Sequence, residues 1–164
     1  MGQGAQPAER KSCAQLQVEY AILIRDQMRR QGISVRCLVA EGVIRQSHRN
    51  GFFRRVEEGS LSYKEVNQIA ARLNIDPVRA ALTVVCFNDP ESYEDPCCET
   101  TAELAASMAV ELREEMDACD GNFDGLAKGL CKGLAKRTVN EIAKNHARLE
   151  AARDAITHVD ESYG

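Results

Sequence analysis

The chain has 164 residues, of which 44% are hydrophobic and 28% charged, a content typical of one globular domain with an appendage. Its longest apolar stretch, residues 80–87, is far shorter than the roughly 20 residues that a membrane-spanning helix needs. No apolar segment that could act as a secretory signal follows the N-terminus, so we expect a cytoplasmic protein with no membrane partner. Aromatic residues make up only 5%, and β-branched residues do not alternate, which disfavours a sandwich or barrel and favours helices.

The net charge of −4 hides an asymmetry between the two halves of the chain. Residues 1–85 carry 13 Lys and Arg against 8 Asp and Glu, a balance of +5. Residues 86–164 carry 8 against 17, a balance of −9. We therefore expect the basic half to face a polyanion, and the acidic half either to face a partner protein or to form a solvated surface.

The first half of the chain carries the start and stop signals of several short helices. Residues 1–12 are predicted to be a flexible tail, and residues 13–87 to form five helices around one core. The first helix runs from about 13 to 30 and is closed by Gly32, and Ser34 caps the second helix. This half is therefore predicted to be all-α.

A segment rich in arginine separates the second helix from the later ones. This basic segment, residues 45–55, contains four arginines and no acid. After it, Ser62 and Glu65 form a capping box that starts the fourth helix, and Pro77 takes the first position of the fifth. The apolar spacing predicts that the fifth helix turns four residues inward: Val78, Ala81, Leu82 and Val85.

The C-terminal part is predicted to be a helical hairpin after a linker. Residues 88–99 contain two prolines and five acids, which indicates an acidic linker or a surface loop. Within residues 100–164, Thr100 and Glu103 form a capping box, and a second, long helix runs from about 125 to 157. The first helix of the hairpin is expected to bury residues at four-residue steps: Leu104, Met108, Leu112 and Met116. Such a hairpin is expected to dimerise or to bind a protein partner.

Four motifs in residues 16–85 follow one another in a recognisable order. They are Gly32-Ile33-Ser34, Leu38-Val39, Phe53-Arg54-Arg55-Val56-Glu57-Glu58-Gly59 and Leu73-Asn74-Ile75. This order resembles the lambda-repressor-like (Cro/XRE) family of helix-turn-helix domains, over somewhat less than half of the chain. Between Val39 and Phe53 the sequence has about four residues more than the family spacing. The recognition helix therefore either starts earlier and is one turn longer, or is preceded by a loop.

The resemblance implies an all-α, five-helix DNA-binding domain followed by the helical hairpin. It implies a transcription regulator, a repressor rather than an activator, that binds double-stranded DNA as a homodimer at an inverted-repeat operator. It assigns base recognition to four residues: Gln46, Ser47, Arg49 and Asn50. Phosphate contacts are assigned to four arginines: Arg36, Arg45, Arg54 and Arg55. The composition of the basic segment supports the same conclusion, because cations match phosphates while Arg, Gln and Asn recognise base edges. His48 is interpreted as a surface residue without a special role.

The last predicted helix opens with three four-residue repeats. They place Gly125, Gly129 and Gly133 near one helix face, with Leu126 and Leu130 beside them. A glycine inside a helix costs ~1 kcal/mol, so three at this spacing indicate a close approach to the preceding helix or to a second subunit.

The alternative to a DNA regulator is a protein-interaction module, such as an antitoxin or an adaptor, that acts through the acidic C-terminal helices.

Metal and catalytic sites are not predicted. Four of the seven cysteines are candidates for a zinc site: Cys86, Cys97, Cys98 and Cys119. None of them belongs to a CxxC pair, so reduced thiols are expected instead.

Residues 120–125 match the start of an EF-hand loop, but the twelfth position of that loop is Cys131. We therefore interpret the motif as a helix break capped by Asn122 or Asp124. No nucleophile–base pair or nucleotide-binding motif is present, so neither an enzyme nor a cofactor is predicted.

Overall fold

The computed structural model describes residues 11–119 and 124–161, with side chains as far as residue 153. Throughout these residues the regular secondary structure is helical, without a β-strand. The chain divides into two compact units, Met1–Glu115 and Met116–Gly164. The prediction of an all-α protein is confirmed for the described part of the chain.

The N-terminal unit begins with five α-helices, the number that the sequence predicts for residues 13–87. They are α1 (Cys13–Arg30), α2 (Val35–Ala40), α3 (Phe52–Glu57), α4 (Tyr63–Arg72) and α5 (Pro77–Leu82). Ser34 caps α2, Ser62 and Glu65 form the capping box of α4, and Asp76 caps α5 ahead of Pro77. Because a polar side chain satisfies an amide at each of these starts, local sequence alone was enough to locate them.

One hydrophobic core joins these helices. Its fully buried side chains include Leu23 of α1, Leu38 of α2, Phe52 of α3 and Ile69 of α4. Burying an aliphatic or aromatic side chain of this size contributes about 1.5–3 kcal/mol to folding. The shared core fixes the positions of α2, α3 and α4 around α1, and with them the two ends of the basic segment.

The inward face of α5 differs from the prediction. Three residues expected to be buried are exposed: Val78, Ala81 and Val85. Ala80 and Val84 are buried in their place, each 4% exposed. The helix widens into a π-helical turn at Thr83–Phe87, which shifts the face presented to the core. Almost every residue from 80 to 85 is apolar, so periodicity could not select between the two faces.

Residues 88–99, for which the sequence predicts a linker or a surface loop, pack against the N-terminal unit. A 3-10 helix at Pro90–Glu94 places Tyr93 in the core. The next helix, α6 (Pro96–Ala118), begins inside the same segment. The division between the two units falls near the end of α6, after Glu115. The buried Tyr93 side chain thus attaches this acidic segment to the N-terminal unit.

The start of α6 also differs from the prediction. The Asp95 carboxylate accepts a 2.7 Å hydrogen bond from the amide of Cys97, so the helix begins before the predicted capping box. The Thr100 hydroxyl instead donates to the carbonyl of Pro96, one turn back. In the apolar stripe expected to be buried, Leu104 and Met116 are half-buried, but Met108 and Leu112 are exposed. The prediction that all four residues are buried is therefore wrong, and the buried residues of α6 are Cys98 and Ala102.

The C-terminal unit contains one long helix, α7 (Lys128–Glu161). The residue just before this helix is Ala127, whose carbonyl accepts hydrogen bonds from the amides of Leu130 and Cys131, so Asp124 is not in the cap position. The other proposed cap, Asn122, lies outside the described residues. Apolar side chains just before α7 and in its first turns are exposed, among them Leu126, Leu130 and Leu134. No helix in the described part of the chain has the length and apolar content needed to cross a bilayer.

Candidate nucleic-acid interface

The basic segment crosses the surface between two buried anchors. Ile44 lies in the core just before the segment, and Phe52 lies in the core at the start of α3. Between them the chain forms a 3-10 turn at Gln46–His48 and then reaches Gly51, whose φ of 74° is in the left-handed region. A side chain rarely adopts that conformation, so glycine lets the chain turn into α3. The segment is thus held at both ends, and between them Gln46, Ser47 and Asn50 are exposed.

The recognition helix that the resemblance implies is not continuous. Of the two alternatives left by the long spacing, a loop precedes the helix: residues 49–51 form a turn, and α3 has only six residues. All four residues predicted to recognise bases therefore lie before α3, in the 3-10 turn and the residues that follow it: Gln46, Ser47, Arg49 and Asn50. Their side chains do not follow the spacing of an α-helix, because a 3-10 turn and a bend orient side chains differently.

Three of the predicted DNA-contacting residues lie together. Arg36 of α2, Gln46 and Arg49 line one open groove of about 400 Å³, and Val39 and Ala40 of α2 form its apolar lining. Two arginines and one glutamine thus line the same groove as two small apolar residues. Such a set can donate to phosphates or to the acceptors of purine edges, and its apolar part can contact a thymine methyl group.

The remaining predicted residues surround this groove or face elsewhere. Ser47 and Asn50 are exposed but are not among the groove residues. Arg45 and Arg54 are largely exposed, with guanidinium groups 4.0 Å from Glu65 and 3.8 Å from Glu58. Arg55 is half-buried, and its enclosed Nε has no hydrogen-bond partner among the described residues. Arg45 and Arg54 are therefore more accessible to a phosphate than Arg55.

A buried carboxylate contacts the 3-10 turn from the protein interior. Glu65 is only 5% exposed, and its Oε2 accepts hydrogen bonds from the amide and hydroxyl of Ser62. Its Oε1 lies 2.8 Å from Nδ1 of His48 and 3.5 Å from the amide nitrogen of Arg45. One carboxylate thus completes the capping box of α4 and also binds both ends of the 3-10 turn.

These contacts keep Glu65 ionised. Burial by itself raises the pKa of the carboxyl, but the hydrogen bonds from Ser62, His48 and the Arg45 amide outweigh it and lower the pKa from 4.5 to about 2. Because an ionised carboxylate only accepts hydrogen bonds, Nδ1 of His48 carries the proton in this contact. The interpretation of His48 as a surface residue without a role is therefore wrong: its side chain is mostly buried and bonded to Glu65.

The sequence predicts only some of the contacts that Glu65 makes. Ser62 and Glu65 are recognisable as a capping box, and that much is confirmed. The contact with His48 joins residues 17 positions apart, across α3 and the turns around it. Only the tertiary arrangement brings these two side chains together.

The predicted packing residues of the last helix lie in the other unit. A Cβ added at Gly125, Gly129 or Gly133 would meet no atom within 4 Å. Leu126 and Leu130 beside them are exposed. The close helix approach expected at these glycines therefore stays a prediction.

The cysteines considered for a zinc site do not form a metal-binding group in the described part of the chain. Cys98 is buried with its Sγ 3.1 Å from the Thr83 hydroxyl, whereas Cys86, Cys97 and Cys119 are exposed. Among the residues that the structure describes, no group of three or more His, Cys, Asp and Glu side chains could hold a metal ion. Most of the EF-hand-like motif, residues 120–123, lies outside the described residues.

No protein-family model, curated protein or solved structure matches the chain.

Proposed function

We propose that this chain is a transcription regulator that binds a specific sequence of double-stranded DNA through its basic segment. The observation that carries the proposal is the groove that Arg36, Gln46 and Arg49 line together. Arginine and glutamine are the side chains that pair with the hydrogen-bonding edges of guanine and adenine. No acid occurs in residues 45–55 to oppose a polyanion there.

Phosphate contacts supply the second part of the proposed interface. The guanidinium groups of Arg45 and Arg54 are 72% and 71% exposed. Their acidic neighbours lie at long ion-pair distances, so a phosphate can compete for each guanidinium. Contacts of this kind provide affinity for any DNA, and they weaken steeply with salt because counterions are released.

We propose that the regulator acts as a homodimer at an inverted-repeat operator, and as a repressor. A single short turn and a six-residue helix cover few base pairs, so a second copy is needed for a site of useful length. The exposed leucines of the C-terminal unit, such as Leu130 and Leu134, offer an apolar surface for that second copy.

The test is selection of binding sites by the purified full-length protein from a pool of random duplexes. We expect enrichment of an inverted repeat, with affinity falling steeply between 50 and 200 mM salt. Arg49→Ala and Asn50→Ala should reduce the preference for the selected site over a scrambled duplex. Arg54→Ala should weaken binding to both duplexes alike, and Arg55→Ala should do the same to a smaller extent.

The matched control is Arg113→Ala, which removes one exposed positive charge from α6. Its affinity for both duplexes should stay within about twofold of the unmodified protein, because Arg113 belongs to α6 and not to the basic segment. If no duplex is enriched, or if the four variants in the basic segment bind like the control, DNA recognition by this segment is wrong.

The second candidate function is a protein-interaction module, such as an antitoxin or an adaptor. It is favoured by the apolar residues Met108 and Leu112, which are exposed on a helix that carries six acids and one arginine. Large exposed apolar side chains within a charged surface are typical of protein contacts. If the selection enriches nothing and Met108→Gln with Leu112→Gln abolishes binding to a partner purified with the protein, this function replaces the first.

A further inference from the structure

We propose that His48 and Glu65 are positioning residues that hold the 3-10 turn Gln46–His48 in the shape needed to distinguish one DNA sequence from another. This inference rests on the proposed function and deepens it. Neither residue is expected to touch DNA bases. They act through Gln46 and Arg49, the groove residues in and beside the turn.

The turn is too short to hold its own shape. It contains two backbone hydrogen bonds, from the amide of His48 to the carbonyl of Arg45 and from the amide of Arg49 to the carbonyl of Gln46. A single helical turn in water is unfavourable, because few hydrogen bonds compensate the fixed dihedral angles. Contacts from elsewhere in the fold must therefore stabilise it.

Glu65 supplies those contacts from a rigid position. Its carboxylate is fixed by Ser62 in the capping box of α4, and α4 is fixed by Ile69 in the core. The same carboxylate binds the amide of Arg45 at the start of the turn and the imidazole of His48 at its end. The turn is thus attached to the core through two hydrogen bonds on one buried oxygen.

A loose turn should affect contacts with phosphates and contacts with base edges differently. Exposed arginines such as Arg54 can follow a phosphate even when the backbone moves, so binding to any DNA tolerates a loose turn. Recognition of a base edge needs paired hydrogen bonds, which require the donor to be held within about 0.5 Å of its place. A turn that must be ordered during binding also loses affinity through conformational entropy. Loss of the His48–Glu65 contact should therefore reduce discrimination more than general affinity.

The experiment compares His48→Ala with His48→Asn in the full chain. The Asn amide nitrogen is bonded to Cγ, as Nδ1 is in histidine, so Asn can donate the same hydrogen bond to Glu65. The measured quantity is the ratio of the dissociation constants for a scrambled duplex and for the site selected by the unmodified protein. We expect His48→Ala to lower this ratio about tenfold, with the scrambled duplex bound within about twofold of normal affinity. His48→Asn should restore most of the ratio.

A purely structural role would behave differently. It would weaken binding to both duplexes together, and His48→Asn would restore both affinities together, so the ratio would stay unchanged in either variant. The matched control is Glu41→Gln, which removes the carboxylate that pairs with Arg72 on the exposed surface. That variant should leave the ratio unchanged.

Amide hydrogen exchange of the free protein separates this inference from the proposed function. We expect the amides of residues 45–49 to exchange faster in His48→Ala and at the normal rate in His48→Asn. If exchange there is unchanged by His48→Ala, the positioning role is overturned, whatever the DNA result. If no site is selected from the pool while exchange responds as expected, the proposed function fails and the pair only holds the turn. If exchange responds but the ratio does not, the inference about discrimination is wrong.

Discussion

The hydroxyl oxygen of Tyr93 accepts a 2.8 Å hydrogen bond from the backbone amide of Asp76. The guanidinium of Arg79 lies over the same ring, 4.6 Å from its centre. One side chain thus joins the acidic segment after α5 to the residue that caps α5. The N-terminal unit is therefore completed by residues that lie beyond the helices of the predicted DNA-binding domain.

This contact predicts a measurable loss of stability in Tyr93→Phe. The ring stays in place, but the Asp76 amide loses its acceptor, which should lower the free energy of unfolding by about 1–2 kcal/mol. Urea denaturation of the full chain at pH 7 measures the change. Tyr63→Phe is the control, because Tyr63 is 82% exposed. Equal stabilities of the two variants would show that the Tyr93 hydroxyl contributes nothing.

Glu65 makes the stability of the N-terminal unit depend on pH in the acid range. Its pKa is about 2 in the folded protein against 4.5 when unfolded, so its contribution is fully present above pH 4.5 and is lost as the pH falls towards 2. The shift corresponds to about 3 kcal/mol at neutral pH. We expect Glu65→Gln to be less stable than the unmodified protein at pH 7.

Urea denaturation at pH 7, 5, 4 and 3 checks this prediction. The difference between the unmodified protein and Glu65→Gln should be constant from pH 7 to pH 5 and should shrink below that. Glu103→Gln, on the exposed side of α6, provides the comparison for a general effect of removing one acid. A difference that persists unchanged to pH 3 would contradict the ionised state assigned to Glu65.

Gly59, which follows α3, is predicted to tolerate alanine poorly because of its backbone. Its φ is +62°, and a Cβ there would meet the end of the Gln17 side chain of α1. Gln17 is exposed and flexible, so the conformational cost of about 1 kcal/mol should dominate. Gly42→Ala is a matched control, because Gly42 has a similar φ of +73° with no atom near its added Cβ. Thermal or urea unfolding should give similar losses for both variants, and Gln17→Ala should not rescue Gly59→Ala.

The exposed leucines of the C-terminal unit lead to a prediction about oligomeric state. Changing Leu130 and Leu134 together to Gln should convert the proposed homodimer into a monomer, because it removes apolar surface that a second copy would bury. Sedimentation equilibrium of the full chain measures the change. Val18→Gln, an equally polar change at an exposed residue of α1, should leave the dimer intact. A dimer unaffected by the double change would place the contact elsewhere.

Local sequence determined the starts of most helices and the chemistry of the basic segment. Ser34, Ser62 and Asp76 each satisfy an amide within three residues, so their effect does not depend on the rest of the fold. The absence of acids from residues 45–55 is likewise a property of composition. Both could be predicted before any tertiary contact was known.

Tertiary structure alone decided which apolar face of α5 is buried, where Tyr93 lies and what His48 contacts. Residues 80–85 offer two apolar faces, and the choice depends on what packs against them. The contact between His48 and Glu65 crosses 17 positions of the chain, and that between Asp76 and Tyr93 also crosses 17. Burial and hydrogen bonds between distant residues are set by how the helices pack together, which a local pattern of residue types does not encode.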